Sequence, residues 1–210
     1  MKNIIIVGAG GFGRELLQWI KDINKVKHTW EIKGFIDDKL DSLNGYECDY
    51  KVIGRIIDWV PADDEVFALA IANPKIKEKV VGELKQKGAI FVDIIHPTAE
   101  ICDFSEHGEG LVMYPHSMLC PNCKVGDYVT LLCSGIPHDA IIEDFVTISC
   151  HCGLTRGIHI GKRAYLADHA SILPEKTIGD DAYVGMGSVV VRNVPTGKKV
   201  FGNPAKIIEF

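Results

Sequence analysis

Between Ile95 and Val190 the apolar positions recur every six residues. Ile95, Ile101, Met113, Leu119, Val125 and Leu131 share one frame, with a poor turn at His107. After a slip of one residue the frame resumes at Ile136 and runs through Ile142, Ile148, Leu154, Ile160, Leu166, Ile172, Ile178, Val184 and Val190. Four residues after each anchor the side chain is usually small or a valine, as at Ser117, Val129, Ala140, Val146, Ala164, Ala170, Ala182 and Ser188. Neither the helix period nor strand alternation produces this pattern. One large and one small inward side chain per hexad predicts a parallel β-helix, in which three hexads make a triangular coil and each position stacks on its equivalent. A β-sandwich would instead show turn clusters every 8–12 residues or so. Glycine directly after an anchor, at Gly161, Gly179 and Gly185, suits a corner where backbone passes close to backbone.

Upstream the pattern changes. Lys2 to Gly8 reads as a buried strand, followed by Gly8-Ala9-Gly10-Gly11-Phe12-Gly13 and a helix from Arg14 to Ile23 with Leu16, Leu17, Ile20 and Ile23 on one face. A second strand, Ile32 to Ile36, ends in Asp37 and Asp38. A third, Val66 to Ala72, precedes a helix from Lys75 to Lys87 with Ile76, Val80 and Leu84 in step. A glycine loop between strand and helix lets backbone N–H groups approach a phosphate, and an acid about 20 residues on is placed to meet a ribose or base. A dinucleotide needs two such halves, and here only one fits before the β-helix begins. The ligand expected is therefore one nucleotide carrying a diphosphate-linked sugar, with Gly10, Gly11, Phe12, Asp37, Asp38, Ala72 and Asn73 as candidate contacts. The plainer alternative is a glycine loop that serves only as a tight turn. The chain divides on this reading into an α/β domain, residues 1–94, and a β-helix with a C-terminal tail, residues 95–210. The polar loop from Asp41 to Asp49 has no assigned task.

A formal net charge of −5 and no Lys/Arg run argue against a nucleic-acid surface. No apolar stretch reaches membrane-spanning length, and the start, IIIVGAG, lacks the h-region and cleavage site of a signal peptide, so a cytosolic protein with no membrane partner is expected. Seven cysteines raise the question of metal or redox chemistry. Cys120 and Cys123 in CPNC, with Cys150, His151 and Cys152, allow a zinc site to be drawn. Yet Cys123 and Cys152 fall on the small inward position of the hexad, where a thiol acts as a modest hydrophobe, and no metal is expected. Cys133, beside the slip, has no evident role.

The hexad run and the closing Gly202-Asn203-Pro204-Ala205 resemble the hexapeptide-repeat acyltransferases, which fold as left-handed β-helices. With GAGGFG, the Asp37-Asp38 pair, His138-Asp139 in IPHDAIIEDF, and GNPAK in the same order, the whole chain resembles the bacterial sugar O-/N-acyltransferases that join a small nucleotide-binding domain to such a helix. That family includes N-acetyltransferases of nucleotide-linked 4-amino-4,6-dideoxy sugars and relatives assigned to sialic acid O-acetylation. The resemblance implies acetyl-CoA as co-substrate, a nucleotide-linked amino sugar as acceptor, and a homotrimer whose cofactor lies between neighbouring β-helices. It puts His138 at the position of the catalytic base, with Asp139 beside it, and implies Thr147, Arg156, Ala167, Asp168, Gly185 and Met186 as cofactor contacts. Three positions depart from the pattern: Asp139 where some relatives carry Glu, Thr147 where some carry His, and Arg156 where a smaller residue is expected.

Acyl transfer to an amine or hydroxyl needs a base near neutral pKa, a task suited to histidine. Of eight histidines only His138 is followed by a carboxylate. Neighbours on a strand point to opposite faces, so this pairing requires a local turn or a subunit contact. The expected function is acetyl-CoA-dependent N-acetyl transfer to a UDP- or dTDP-linked 4-amino sugar in surface-glycan synthesis. The alternatives are sugar O-acetylation, a metal-dependent β-helix hydrolase with three histidines around zinc, and a nucleotide-sugar-binding module without chemistry.

Overall fold

The computed structural model describes residues 2–209 and divides into two compact units, Met1–Pro97 and Thr98–Phe210. The first contains β1 (Lys2–Val7), α1 (Gly11–Val26), β2 (Trp30–Ile36), β3 (Val52–Gly54), β4 (Glu65–Leu69) and α2 (Pro74–Gln86). The strands form a parallel sheet in the order β3-β2-β1-β4. β1 is the central strand, and Ile4, Ile5, Ile6 and Val7 are wholly buried. A strand covered on both faces reads as an unbroken apolar run, and each such side chain contributes about 1.5–3 kcal/mol. Gly13 lets α1 seat directly on the exit of β1, since a Cβ there would stand 2.1 Å from the Gly8 carbonyl oxygen.

Several sequence expectations are corrected here. β2 starts earlier, at Trp30, β4 stops short of Ala72, and the short edge strand β3 carried too few apolar positions to be read. In α2 the buried stripe is Lys77, Val80, Val81 and Leu84, the i, i+3, i+4, i+7 set of one helix face. Ile76 lies off that stripe, 52% exposed. Burial pushes the Lys77 ammonium pKa down to about 7.

The second unit is the parallel β-helix. Its first face stacks Glu106–His107, Lys124–Val125, Ile141–Ile142, His159–Ile160 and Thr177–Ile178. The second runs from Val112–Met113 through Thr130–Leu131, Thr147–Ile148, Tyr165–Leu166 and Tyr183–Val184 to Lys199–Phe201, closed by an antiparallel Lys206–Ile208. On the third, Glu100–Ile101, Met118–Leu119 and Gly135–Ile136 form one block, and Gly153–Leu154, Ser171–Ile172 and Val189–Val190 another. The small positions Ser117, Val129, Ala140, Val146, Ala164, Ala170, Ala182 and Ser188 are all buried. Most corners turn through one left-handed residue three places after the anchor, for instance Asn122, Asp139, Phe145, Arg163 and Asp181, with φ between 56 and 61°. The glycines after anchors meet the next coil: a Cβ on Gly161 would lie 2.7 Å from the Asp180 amide nitrogen, and one on Gly179 2.4 Å from that of Thr196. At Gly185 the neighbour is the Phe201 ring, at 2.1 Å, rather than backbone. The frame begins before its core does, since Ile101 is 40% exposed and His107 is exposed.

Candidate active site

The slip in the frame is a shortened corner. Leu131 and Ile136 are joined by Leu132, Cys133, Ser134 and Gly135, and Cys133 takes the left-handed turn at φ 44°, which gives this residue its role. Ser134 seals the short corner, its hydroxyl donating to the Ser149 carbonyl at 2.8 Å and accepting the Cys152 N–H at 3.0 Å. Pro137 follows the next strand, and His138 and Asp139 then occupy a turn, with Asp139 left-handed at φ 60°. This turn lets adjacent residues pair within one chain. His138 Nδ1 lies 2.7 Å from Asp139 Oδ2, with both side chains more than half exposed. With Nδ1–H donated to the carboxylate, Nε2 presents its lone pair outward as an acceptor.

The Gly157 N–H donates to the His138 carbonyl at 3.2 Å. Arg156 therefore sits on the same corner one coil later, ion-paired with Glu175 at 2.9 Å. The remaining cofactor candidates lie elsewhere on the β-helix. Thr147 is fully buried on the second face, in register between Thr130 and Tyr165. Ala167, Asp168, Gly185 and Met186 stack on the corner between second and third faces, where the Gly187 N–H donates to the Asp168 carbonyl and Asp168 Oδ1 accepts the Cys150 N–H, both at 2.9 Å. Met186 is 65% exposed. The third face separates the two sets.

In the α/β unit, Cβ atoms on Gly10 and Gly11 would meet nothing within 4 Å, so the space above the loop is open. Gly10 caps α1 without a side-chain bond, Phe12 lies in the first turn, and no acid stands there, and a helix N-terminus of this kind favours an anion. Asp37 ties the exit of β2 to the loop: Oδ2 accepts the Ala9 N–H and Oδ1 the Lys39 N–H, both at 2.8 Å. Asp38 Oδ1 accepts the Ile57 N–H at 3.1 Å. Asn73, just after Ala72, caps α2 through bonds from the Lys75 and Ile76 amides. The polar loop is laid against α1, with Lys21 bonded to Asp49 at 2.7 Å and the Arg14 guanidinium 3.7 Å from the Tyr46 ring centre. Sequence reasoning missed this strap because its partners are far apart along the chain.

It also missed acids that reach other histidines through space. Glu143 lies 2.9 Å from His159, Asp22 3.7 Å from His96, and Glu31 2.8 Å from His28. His138 is thus distinguished by its corner rather than by owning a carboxylate. Burial raises the thiol pKa of Cys123 to about 11 and that of Cys152 to about 12, which keeps both unreactive. Among the described residues no three His, Cys, Asp or Glu side chains are placed to hold a metal ion, and no helix is long and apolar enough to cross a membrane.

A parallel α/β unit followed by a hexapeptide β-helix with a histidine–carboxylate turn is the plan of the bacterial sugar acyltransferases, and the chain belongs to that family as an acetyltransferase. Residues 3–84 match the model of the PglD N-terminal domain. The chain is 30% identical to the GDP-perosamine N-acetyltransferase of Escherichia coli O157:H7, over 96% of this chain and 94% of that protein. The acetyltransferase domain of PglB from Neisseria gonorrhoeae FA1090, solved with acetyl coenzyme A, matches with a TM-score of 0.87 at 25% identity over 99% of each chain. A mutant of perosamine N-acetyltransferase from Caulobacter crescentus, solved with CoA and GDP-perosamine, shares the fold with a TM-score of 0.90 at 22% identity, over 100% of this chain and 98% of that one.

Proposed function

We propose that the protein transfers the acetyl group of acetyl-CoA to the amine of a nucleotide-activated 4-amino-4,6-dideoxyhexose, a cytoplasmic step in surface-glycan synthesis. The observation that carries this reading is the His138–Asp139 turn: an exposed imidazole with Nδ1 engaged by a carboxylate and Nε2 free. In a ternary complex, His138 Nε2 takes a proton from the attacking amine, and Asp139 holds the ring as its charge develops. The C–N bond forms, the C–S bond breaks, and the imidazolium returns the proton to the departing thiolate. The two buried thiols above are inert, which favours direct transfer over an acetyl-enzyme on either of them. The open glycine loop is read as the diphosphate site, and Asp37 and Asp38 as its border toward ribose and base.

Within one chain His138 and Arg156 occupy one corner, and Ala167, Asp168, Gly185 and Met186 another. One side of the triangle, about six extended residues or roughly 20 Å at most, separates them. A second copy of the chain laid alongside would unite the two sets in one groove, and a closed cyclic arrangement of copies, a homotrimer, follows.

The deciding assay is release of free thiol from acetyl-CoA in the presence of UDP-, dTDP- and GDP-linked 4-amino sugars; the GDP arm is added because the perosamine enzymes named above act on a GDP-linked sugar. Turnover with an amino sugar is expected. Absence of turnover across the panel, or a monomer at micromolar concentration in a solution mass measurement, would overturn the corresponding part of the proposal.

A further inference from the structure

The backbone ladder of the third face is interrupted beside His138. At three steps of this face the residue after the anchor donates its N–H to the next anchor's carbonyl, Cys102 to Leu119 at 2.9 Å, Cys120 to Ile136 at 2.9 Å and Leu173 to Val190 at 3.1 Å, while at Thr155 the hydroxyl takes over and donates to the Ile172 carbonyl at 2.6 Å. The equivalent donor to Leu154 is Pro137, which has no N–H. The companion bond, from the Gly135 N–H to the Cys152 carbonyl, is missing too, and among the described residues no hydrogen bond links strand Gly135–Ile136 to strand Gly153–Leu154. Among the described residues no protein donor reaches the carbonyls of Cys152 and Leu154. Leu154 stacks on Ile136, two residues before His138, and Gly157 binds the His138 carbonyl. The seam carries no side chains at Gly135 and Gly153, and a Cβ on Gly135 would meet only the Met118 carbonyl oxygen, at 3.9 Å.

We propose that Pro137 determines acceptor specificity: by breaking the ladder it frees the Leu154 main-chain carbonyl, opposite the residue before the base, to receive an N–H of the attacking amine, so that an amino sugar is selected over a hydroxyl sugar. This rests on the acyltransferase reading above. A neutral primary amine has two hydrogens and one lone pair. His138 takes one hydrogen, the lone pair attacks the thioester carbon, and the other hydrogen needs an acceptor as positive charge grows on nitrogen. A free carbonyl supplies it. A hydroxyl has one hydrogen, which goes to His138, and its remaining lone pairs then face a carbonyl oxygen that offers them nothing. An ammonium, the resting form of such a sugar at neutral pH, is bound by the same acceptors for the same reason.

The seam is local, because Ser134 bonds and first-face bonds, such as Ile141 N–H to the Ile158 carbonyl and Glu143 N–H to the Ile160 carbonyl at 2.9 Å each, hold the same coils together. Pro137→Ala supplies the missing N–H and should close the ladder onto Leu154. Gly135→Val covers the seam without touching the ladder donor. Using the full-length protein, KM for the amino-sugar nucleotide and Ki for its 4-hydroxy analogue are measured together with KM for acetyl-CoA and the melting temperature. Pro137→Ala should raise KM for the amine about tenfold and leave Ki for the hydroxy analogue unchanged, with acetyl-CoA binding and melting near wild type. Gly135→Val should weaken both sugar ligands at unchanged melting temperature. An unchanged ratio of the amine KM to the hydroxyl Ki in a well-folded Pro137→Ala, or wild-type binding of both sugars by Gly135→Val, overturns the seam. A wild-type enzyme that acetylates no amine overturns instead the acyltransferase reading on which it rests.

Discussion

The two units of this chain build their candidate sites in opposite ways. In the α/β unit the candidate ligand loop is shaped by side chains that reach far along the sequence: Asp37 back to Ala9 and Asp38 on to Ile57. In the β-helix nearly every position is held by the same main-chain bond to the next coil. A repeat determines its own scaffold, and the candidate site lies where it fails, at the short corner by Cys133 and the proline before His138. A unit that occurs once has no regularity to break, so its site is marked by long-range polar contacts instead.

The sharpest way to break that comparison is to remove a residue that belongs to the irregularity alone. His138→Ala should lower kcat by about 10²–10⁴, the usual worth of a positioned general base, with both KM values and the melting temperature little changed because the side chain is exposed. Steady-state kinetics with a denaturation curve checks it; a near wild-type kcat removes the histidine from the mechanism. The second test works on the glycine loop. Gly13→Val forces a side chain against the Gly8 carbonyl and should cost about 1–3 kcal/mol by denaturant titration. Gly11→Ala, where a Cβ has open space, should leave stability equal or slightly higher while raising KM for the sugar nucleotide. Equal stability losses at both positions would erase the distinction between a packing glycine and a ligand glycine.

The smallest effect is expected at Glu65. Burial alone would push its pKa up, but the bonds from Lys33, the Ala62 amide and Trp59 outweigh it and hold the carboxyl below its ordinary value. The stabilisation is therefore complete above the ordinary glutamate pKa and is lost as pH falls through the lower folded value. Glu65→Gln should cost about 1–2 kcal/mol at neutral pH and flatten the acid side of the stability curve, measured by urea titration across pH. An unchanged acid limb would show that the cluster contributes nothing.

The six-residue frame, the glycine loop and the position of His138 were legible in the sequence because each is a local pattern: a coil repeats its inward positions, and a loop between strand and helix needs glycine where it stands. Even the slip was visible, as a step of five from Leu131 to Ile136 in place of six. What the slip does was not visible, since the broken seam depends on Pro137 lying opposite Leu154 a coil away. The same holds for Glu143 at His159, for the strap of Lys21–Asp49 along α1, and for the choice of Lys77 over Ile76 as the buried residue of α2. Those pairings join residues that are neighbours only after the chain has coiled or packed. Periodicity dictates which way a side chain points, whereas its partner is decided by tertiary structure, because hydrogen bonds and ion pairs act over a few ångströms of space regardless of separation along the chain.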